Sequence, residues 1–367
     1  MAGVTYKCPS CGAYLVFSPD NQEWHCDFCK EDFPEGDLLA KGEAYAQEAE
    51  QEAERTDGRD KPDAAQGPEE EQEAGEQVAY HCPSCGSEIM TDATTVATNC
   101  YYCHNPVVLQ GKLTQDMKPD AVLPFSVSRE TATESFLKWA KAKRFTPKDF
   151  FSKQNIQTMS GVYYPHFISK CEMDAAFDGE GQNISVADTP KYTITTTHHF
   201  SFHRRAKLRF SNVMRSALSG IDRKLSDGIH PFPSEEAKPF SSAYLTGFLA
   251  ERRNLKAQDI QEDVALELEG YVKPLLSDTL QYSTYRGRSS ADIIQVDTRY
   301  VLLPTWVLTY AHQGRGKDKQ PYYYAMNGRT GTVCGKLPIN KGKLWGTGLL
   351  IGGVAAALLC AVGYFLF

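Results

Sequence analysis

Eight cysteines within the first 103 residues constrain the fold of this chain more than any other feature. They form two sets of paired Cys-x-x-Cys motifs, and each cysteine of the second set lies 74 residues after its counterpart: Cys8, Cys11, Cys26 and Cys29, then Cys82, Cys85, Cys100 and Cys103. Fourteen residues separate the two motifs of a set. This spacing lets four thiolates surround one tetrahedral zinc ion. It therefore predicts two zinc ribbons, each with one structural zinc ion.

The internal repeat extends beyond the cysteines. Residues 6–12 read Tyr-Lys-Cys-Pro-Ser-Cys-Gly and residues 80–86 read Tyr-His-Cys-Pro-Ser-Cys-Gly. Gly12 suits a tight turn with positive φ next to the metal. A dithiol redox centre is the main alternative, but it uses one reactive pair instead of two sets of four. A catalytic zinc ion needs an open coordination position, which a fourth cysteine fills here.

Length and composition indicate several folded units of the α+β class. The chain has 367 residues, 41% of them hydrophobic, and a net charge of −7. Such a length favours two or three folded units over one domain. We expect five segments: zinc ribbon 1 at 1–40, an acidic disordered linker at 41–79, zinc ribbon 2 at 80–112, a mixed α+β domain at 113–340 and a transmembrane helix at 344–367.

The segment between the two ribbons is strongly acidic. Residues 42–79 contain thirteen acidic and three basic residues, with Tyr45 as the single aromatic residue. So little apolar surface cannot offset the entropy lost on ordering, which predicts a flexible linker. A solvated spacer is the simplest interpretation. An acidic arm that binds a basic partner is the alternative.

The α+β domain contains recognisable helix and strand patterns. Helices are predicted over 128–143, after Ser241 or Ser242, and from about Asp259 until Pro274 kinks or ends the third one. The buried face of this third helix would consist of Ile260, Val264, Leu268 and Tyr271. Strands are predicted over 161–172, 191–210 and 292–309. A hairpin would join 322–326 to 332–334 through Asn327-Gly328.

One of these strands has a basic face. Period-two alternation places Phe202, Ala206, Leu208 and Phe210 on one side and His203, Arg205, Lys207 and Arg209 on the other. Arg204 is the exception on the apolar side. A solvated strand face is the simplest interpretation, and contact with anionic lipid headgroups is the alternative.

The C-terminal segment is long and apolar enough to cross a bilayer. Residues 344–367 contain no charged side chain, and the 23 residues from Trp345 onward would form a helix of roughly 34 Å. A hydrocarbon core is about 30 Å thick. The first thirty residues lack an apolar stretch behind a basic start, so we expect no secretory signal peptide.

The charges around this segment predict its orientation. Lys336, Lys341 and Lys343 precede it, so by the positive-inside rule the large N-terminal part faces the cytoplasm. The cysteine pattern agrees, because Cys171, Cys334 and Cys360 outside the ribbons do not resemble an extracellular disulfide framework. Within the segment small residues recur every fourth position, which makes a homodimer through the transmembrane helix a hypothesis: Gly348, Gly352, Ala356 and Cys360.

The ribbons are poor in the residues that bind nucleic acid. Residues 78–111 contain no Lys or Arg, and residues 1–33 contain only Lys7 and Lys30 against five acidic residues. Each Zn(Cys)₄ centre with four thiolates adds a charge of about −2. Because phosphate binding depends on Lys and Arg, nucleic acid is an unfavoured partner.

The order of these segments resembles that of a family of bacterial proteins. The shared features run through nearly the whole chain: Cys-Pro-Ser-Cys-Gly in both ribbons, Leu123-Pro124-Phe125, and the stretches 161–165, 238–241, 303–306 and 325–331 before a terminal apolar helix. These proteins are named zinc-ribbon-containing proteins of the transcription factor IIB type. The resemblance implies the fold and the membrane topology, and it implies no established activity.

We therefore expect a membrane-anchored, cytoplasm-facing zinc-ribbon protein that acts as a scaffold or adaptor for a protein partner. The alternative is a nucleic-acid-associated zinc-ribbon protein held at the membrane. The sequence contains no phosphate-binding loop, dinucleotide fingerprint, nucleophile elbow or His-Glu-x-x-His motif, so no enzymatic activity is predicted.

Overall fold

The computed structural model describes residues 5–36, 77–82, 85, 87–100, 103–109, 113, 117–145, 159–221, 223–310, 322–336 and 339–366. The predicted acidic linker lies outside these residues except for 77–79. The chain divides into two compact units. Unit 1 comprises Met1–Tyr164, Gly220–Arg252 and Leu302–Phe367, and unit 2 comprises Pro165–Ser219 and Arg253–Val301. The five segment boundaries proposed above stay predictions.

The first cysteine set lies in a small antiparallel sheet of unit 1. This sheet contains β1 (Leu15–Ser18), β2 (Glu23–Cys26) and β3 (Asp32–Phe33), in that order. Leu15 and Phe17 on β1 and Trp24 and Cys26 on β2 are buried, while the residues between them are partly exposed. This alternation is the one expected of a sheet with a single buried face.

The second cysteine set is carried by two hairpins. β4 (Gln77–His81) pairs with β5 (Glu88–Asp92), and β6 (Thr95–Asn99) pairs with β7 (Pro106–Val108). β6 also pairs with β12 (Leu249–Glu251), which is more than 140 residues away in the sequence. The second hairpin is therefore part of the main sheet of unit 1.

The other strands of this sheet come from distant parts of the chain. They are β8 (Ala121–Val122), β11 (Lys238–Pro239), and the unit 1 portions of β9 (Ser160–Asp188) and β13 (Thr284–Tyr310). The strand order is β11-β8-β13-β9-β12-β6-β7. β13 also pairs with β14 (Tyr322–Asn327), which pairs with β15 (Val333–Gly335). The predicted strands over 161–172 and 292–309 are confirmed, although both are longer than expected.

The hairpin between β14 and β15 is confirmed, but its connection is longer than a two-residue turn. Met326 pairs with Val333, and five residues, 328–332, connect the strands. The Asn327 side-chain oxygen accepts hydrogen bonds from the Arg329 and Thr330 backbone N–H groups at 2.8 and 3.0 Å. Gly331, with φ of 75°, supplies the left-handed conformation that closes the connection.

Helix α1 (Arg129–Lys141) confirms the first helix prediction. Ala132, Phe136 and Ala140 form its buried stripe. The second predicted helix is wrong: Ser242–Leu245 forms only a 3₁₀ turn, although Ser241 caps it as expected by accepting from Ala243 N–H. Gly247, with φ of 88°, ends this segment before β12 begins. Other short elements of unit 1 are α2 (Arg223–Asp227) and a 3₁₀ turn at Ser234–Glu236.

Unit 2 is built around the long antiparallel pair of β9 and β10 (Thr193–Ser216), with β13 on the other side of β9. Helix α3 (Gln261–Ser277) follows a 3₁₀ turn at Ala257–Ile260 and packs against this sheet. Apolar side chains from the strands and the helix form the core: Ala175, Phe177, Phe202, Val272 and Leu276.

One detail of the third helix prediction is wrong, and of the two outcomes predicted at Pro274 the helix end does not occur. Tyr271 is 50% exposed, and Val272 occupies the inward position instead. Pro274 does not end the helix, which continues to Ser277. A proline this close to a helix C-terminus leaves only a short segment beyond it, so the cost of the lost hydrogen bond is small compared with the burial of Leu276.

Helix α4 (Lys341–Leu366) corresponds to the predicted membrane segment. Its window Gly342–Leu359 is long and apolar enough to cross a membrane, and no residue of that window is buried within the protein. Asn340 caps the helix, since its side-chain oxygen accepts from Lys343 N–H at 3.0 Å. The structure thus contains one candidate spanning helix in the described residues.

Glycine is required where β9 and β13 approach each other in unit 2. A methyl group at Gly179 would overlap the Arg286 carbonyl oxygen and lie 2.7 Å from Gly287 Cα. We expect Gly179→Ala to destabilise unit 2 by about 1–3 kcal/mol, because backbone atoms cannot move aside as flexible side chains do. Hydrogen exchange of β9 and β13 peptides in the detergent-solubilised full chain would measure this loss.

Gly270→Ala is the matched control, since nothing lies within 4 Å of a methyl group at that position on α3. This substitution should slow exchange in unit 2, because alanine is favoured over glycine in a helix by about 1 kcal/mol. Equal exchange rates in the two variants would contradict the close approach of the strands.

Candidate metal centres

The eight cysteines converge as two separate clusters of four. In each cluster the sulfur atoms all lie within 4.8 Å of one another. The Cys8–Cys29 and Cys11–Cys26 sulfurs are 3.5 Å apart, and the equivalent pairs of the second cluster are 3.7 Å apart. Four sulfurs at 2.3 Å from a tetrahedral zinc ion would be about 3.8 Å apart, whereas a disulfide bond is about 2.05 Å long. The spacing fits a shared metal ion and excludes disulfides.

Backbone geometry holds the cysteines in this arrangement. Gly12 N–H bonds to the Cys8 carbonyl at 2.9 Å, Lys30 N–H to Cys26 at 2.8 Å, and His104 N–H to Cys100 at 2.9 Å. In each case the donor follows the second cysteine of a Cys-x-x-Cys motif and has positive φ: 75° at Gly12, 64° at Lys30 and 59° at His104. The predicted turn at Gly12 is confirmed. The same turn recurs at His104, a residue type that tolerates positive φ, and at Lys30, a residue type that is uncommon there.

The two clusters also share a burial pattern. The first and third cysteine of each set are buried, the second is exposed and the fourth is intermediate. Beneath the second cluster lies a small apolar core, which consists of Tyr80, Cys82, Cys100, Val107 and Leu109. The repeat seen in the sequence is therefore a structural repeat around the two sites.

Hydrogen bonds to the sulfurs favour their ionised forms. The Ser87 hydroxyl, 3.2 Å from the Cys85 sulfur, and the Ser87 backbone N–H lower the pKa of Cys85 to about 6. Burial opposes ionisation of Cys26, but the N–H groups of Cys29 and Phe28 outweigh it and bring the pKa of Cys26 down to about 6. Burial and the neighbouring sulfurs raise the pKa of Cys103 to about 12.

This pattern is the one expected of four thiols that share a cation site. The first proton leaves easily because backbone and hydroxyl donors face the sulfur, and later ones are held by repulsion between thiolates. A divalent cation at the centre removes that repulsion, so each cluster can hold one metal ion with four cysteine ligands. All four positions are filled by protein sulfur, which leaves no open position for a substrate.

The cysteine spacing gives no indication of the contacts between the region of the first cysteine cluster and the rest of unit 1. The Trp24 indole N–H donates to the Ala243 carbonyl at 2.9 Å, and both residues are buried. The Tyr6 hydroxyl lies 2.6 Å from Ser242 Oγ. These partners are more than 200 residues apart in the sequence, so no local pattern indicates them.

A charged contact extends the same interface. The Lys238 ammonium group donates to Glu35 at 2.6 Å, and the Tyr244 hydroxyl donates to the other carboxylate oxygen. Burial alone would raise the pKa of Glu35, but these hydrogen bonds lower it below its ordinary value. The region of the first cysteine cluster thus packs on residues 238–248 of unit 1.

Comparison with known proteins adds one relative. The chain is similar to a Bacillus subtilis (strain 168) protein, YdjG, with 28% identity over 339 residues that cover 77% of this chain and 96% of that protein. YdjG is described as uncharacterized. No protein-family model and no solved structure matches the chain. The similarity therefore supports a related fold and gives no information about activity.

We expect Cys8→Ser to lower the metal content of the full chain by one ion and to loosen the segment 238–248. Three thiolates bind a tetrahedral metal ion less well than four, and without the ion β1 and β2 no longer hold Trp24 against Ala243. Elemental analysis would give the number and identity of the bound ions, expected to be two zinc ions in the unmodified protein. Hydrogen exchange would report on 238–248.

Cys334→Ser is the control, because Cys334 lies outside both clusters. It should retain both ions and normal exchange in 238–248. A metal content below one ion per chain in the unmodified, reduced and metal-supplied protein would contradict the assignment of both clusters.

Proposed function

We propose that this chain is a single-pass membrane protein whose cytoplasmic part is stabilised by two structural zinc ions and acts as a scaffold or adaptor. The single observation that carries the proposal is the combination of two closed cysteine clusters with one apolar C-terminal helix, whose window Gly342–Leu359 contains no residue buried in the protein. Closed sites stabilise folds, and an apolar helix that the protein does not bury needs another apolar environment. We further assign the chain to the bacterial proteins with a transcription factor IIB type zinc ribbon, on the motifs given above.

Zinc is the metal that we assign to both clusters. Four thiolates in tetrahedral arrangement suit zinc or iron, and zinc is preferred for structural sites in paired Cys-x-x-Cys knuckles. Trp24, Tyr6 and Glu35 connect the first site to unit 1. We infer that binding of the first zinc ion stabilises residues 238–248 as well as the ribbon itself.

Orientation follows from the lysines on the N-terminal side of α4. Lys336, Lys341 and Lys343 precede the uncharged run, which favours a cytoplasmic location of the folded units. Thiolate ligands are also best preserved in a reducing compartment. The two arguments are independent and favour the same side.

A hairpin of unit 2 supports the adaptor role. At the end of the β9–β10 pair four large apolar side chains are 42–60% exposed: Ile184, Val186, Ile194 and Phe200. In the described residues β10 pairs with β9 alone, so its outer edge carries unused backbone donors and acceptors. Residues 192–202 contain no Asp, Glu, Lys or Arg. We assign this edge to a partner protein that adds an extended, uncharged strand.

The basic face of the same strand gives less support to nucleic acid or lipid. The alternation is confirmed, with His203, Arg205, Lys207 and Arg209 exposed. However, Asp178, Asp174 and Glu172 lie directly opposite His203, Lys207 and Arg209 on β9. Directly opposite residues share a face of the sheet, so this surface carries both signs of charge. Arg205 itself donates to Asp178 at 3.0 Å.

The first test concerns topology. A C-terminal alkaline phosphatase fusion after Phe367 should be active, because this enzyme folds only outside the cytoplasm, and an N-terminal reporter should behave as cytosolic. Truncation after Asn340 should release the protein from membranes into the soluble fraction. Fractionation of cells that express each form measures these outcomes. A truncated form that still sediments with membranes would contradict anchoring by α4.

The second test concerns the hairpin. Ile194→Lys places a charge at the free edge and should abolish capture of the partner, because a lysine there opposes the addition of an uncharged strand. Leu266→Lys is the matched control: Leu266 is also an exposed apolar residue of unit 2, on α3, at 63% exposure against 52% for Ile194.

Cross-linking in intact cells, followed by purification in detergent and mass spectrometry, would compare the three forms. A protein that is captured by the wild type and by Leu266→Lys and lost with Ile194→Lys would support the adaptor role. Identical captured proteins in all three forms would remove this support. Salt-resistant DNA or RNA binding by the full chain would favour the nucleic-acid alternative.

A further inference from the structure

The C-terminal end of α1 lies against the start of α4 within unit 1. The Asn340 backbone N–H donates to the Phe145 carbonyl at 2.7 Å, and Asn340 is the residue immediately before α4. Asn340 also caps the helix through Lys343 N–H. The same residue therefore binds the folded unit and begins the apolar helix, so no spacer separates the two.

The position of α1 is fixed by aromatic packing. The Phe136 and Trp139 rings contact the Tyr324 ring of β14, with centroids 4.9 and 5.2 Å apart. Gly335 on β15 approaches the Trp139 ring so closely that a methyl group there would lie 3.1 Å from it. The end of α1 cannot move away from the start of α4 without breaking these contacts.

Basic residues collect at this junction. Four are exposed at or just after the end of α1, one precedes α4 and one lies in its first turn: Lys138, Lys141, Lys143 and Arg144, then Lys336 and Lys343. Neither 135–145 nor 333–345 contains an acidic residue. The acidic residues of α1, Glu130 and Glu134, lie in the other half of the helix. Within these two segments, every charged side chain is basic.

Helix capping explains only part of the cluster. Basic residues in the last turn of a helix are stabilised by the negative end of its dipole, and this accounts for Lys138 and Lys141. Lys143 and Arg144 lie beyond the helix, and Lys336 and Lys343 belong to another part of the chain. The cluster arises because two segments about 200 residues apart in sequence meet at the same place.

The depth of the cluster follows from the helix rise. The uncharged run begins at Leu344, four residues after Asn340, which corresponds to about 6 Å along the helix. The polar headgroup region on each side of a bilayer is about 5–8 Å thick. When α4 spans the hydrocarbon core, the Phe145–Asn340 contact therefore lies at the level of the headgroups.

We propose that the exposed basic side chains at the end of α1, together with those that flank α4, bind anionic lipid headgroups of the bilayer that α4 spans. The inference rests on the membrane anchoring of the proposed function. Clusters of four to eight basic residues next to a membrane helix attract anionic lipid. Here four of the six basic residues come from the end of α1 and the residues just after it, and not from the sequence that flanks α4.

Lipid selectivity of the full chain in reconstituted vesicles tests the proposal. Electron spin resonance of spin-labelled phosphatidylglycerol and phosphatidylcholine gives the relative association of each lipid with the protein. The wild type should prefer phosphatidylglycerol, and the preference should weaken in high salt. A fourfold variant should lose at least about fivefold of it, the factor expected from a single basic residue near the surface. Its substitutions are Lys138→Gln, Lys141→Gln, Lys143→Gln and Arg144→Gln.

Two further variants serve as controls. Replacing Lys138, Lys141 and Lys143 by arginine keeps the charge and should keep the preference for phosphatidylglycerol. A second fourfold variant removes the same net charge from unit 2, and it should keep the preference for phosphatidylglycerol. Its substitutions are Arg204→Gln, Arg205→Gln, Lys207→Gln and Arg209→Gln. Glutamine is close to lysine and arginine in helix propensity, so α1 should still form.

The outcomes separate this proposal from the proposed function. Unchanged selectivity in a membrane-integrated α1 variant, or an equal loss in both fourfold variants, would overturn headgroup binding by α1 and leave the anchor intact. Carbonate extraction is carried out on the same samples. If it removed the wild type from the membrane, it would refute the anchor itself, and the headgroup proposal would fail with it.

Discussion

The core of unit 1 is organised around the ring of Phe248. This ring stacks on Phe125 at 4.3 Å between centroids, and it contacts Tyr163 at 5.7 Å, Trp306 at 6.1 Å and Phe17 at 6.5 Å. These residues come from four separate parts of the chain, one of which is the first ribbon. Aromatic pairs of this kind stabilise a core beyond the area that they bury. The sheet that carries the first cysteine cluster therefore packs against the core of the main sheet.

The features that could be predicted from the sequence are those that depend on residues close together in the chain. The cysteine clusters were predicted correctly because the geometry of four sulfurs around one ion fixes the spacing within each ribbon. Helix α1 was predicted because its apolar stripe has a clear period. The contacts of Trp24 with Ala243 and of Glu35 with Lys238 could not be predicted, because nothing near either residue specifies a partner about 200 positions away. The same holds for the length of β9, which pairing with β10 extends far beyond the apolar pattern.

The distribution of charged residues along a single strand was predicted correctly, but the charges on the neighbouring strand were not. The basic face of β10 exists as predicted, yet its electrostatic character depends on β9. Asp178 accepts from Arg205 and lies 2.9 Å from His203, and Glu172 lies 3.6 Å from Arg209. Which residues stand opposite one another is decided by register, and register is decided by core packing on the other face. The junction of α1 and α4 shows the opposite case. Two short basic segments that are far apart in the sequence form one cluster only in the folded chain.

The contact between Asn340 and Phe145 has a mechanical consequence. The 23 residues from Trp345 onward would form a helix of roughly 34 Å, slightly longer than a hydrocarbon core of about 30 Å, so a membrane-spanning α4 would fit the bilayer by tilting. A flexible linker between α4 and unit 1 would make the orientation of unit 1 independent of that tilt. Here α4 is joined to unit 1 through the hydrogen bond between Asn340 and Phe145. If α4 spans a membrane as proposed, a thicker bilayer would reduce its tilt, and the sheet of unit 1 would rotate with it.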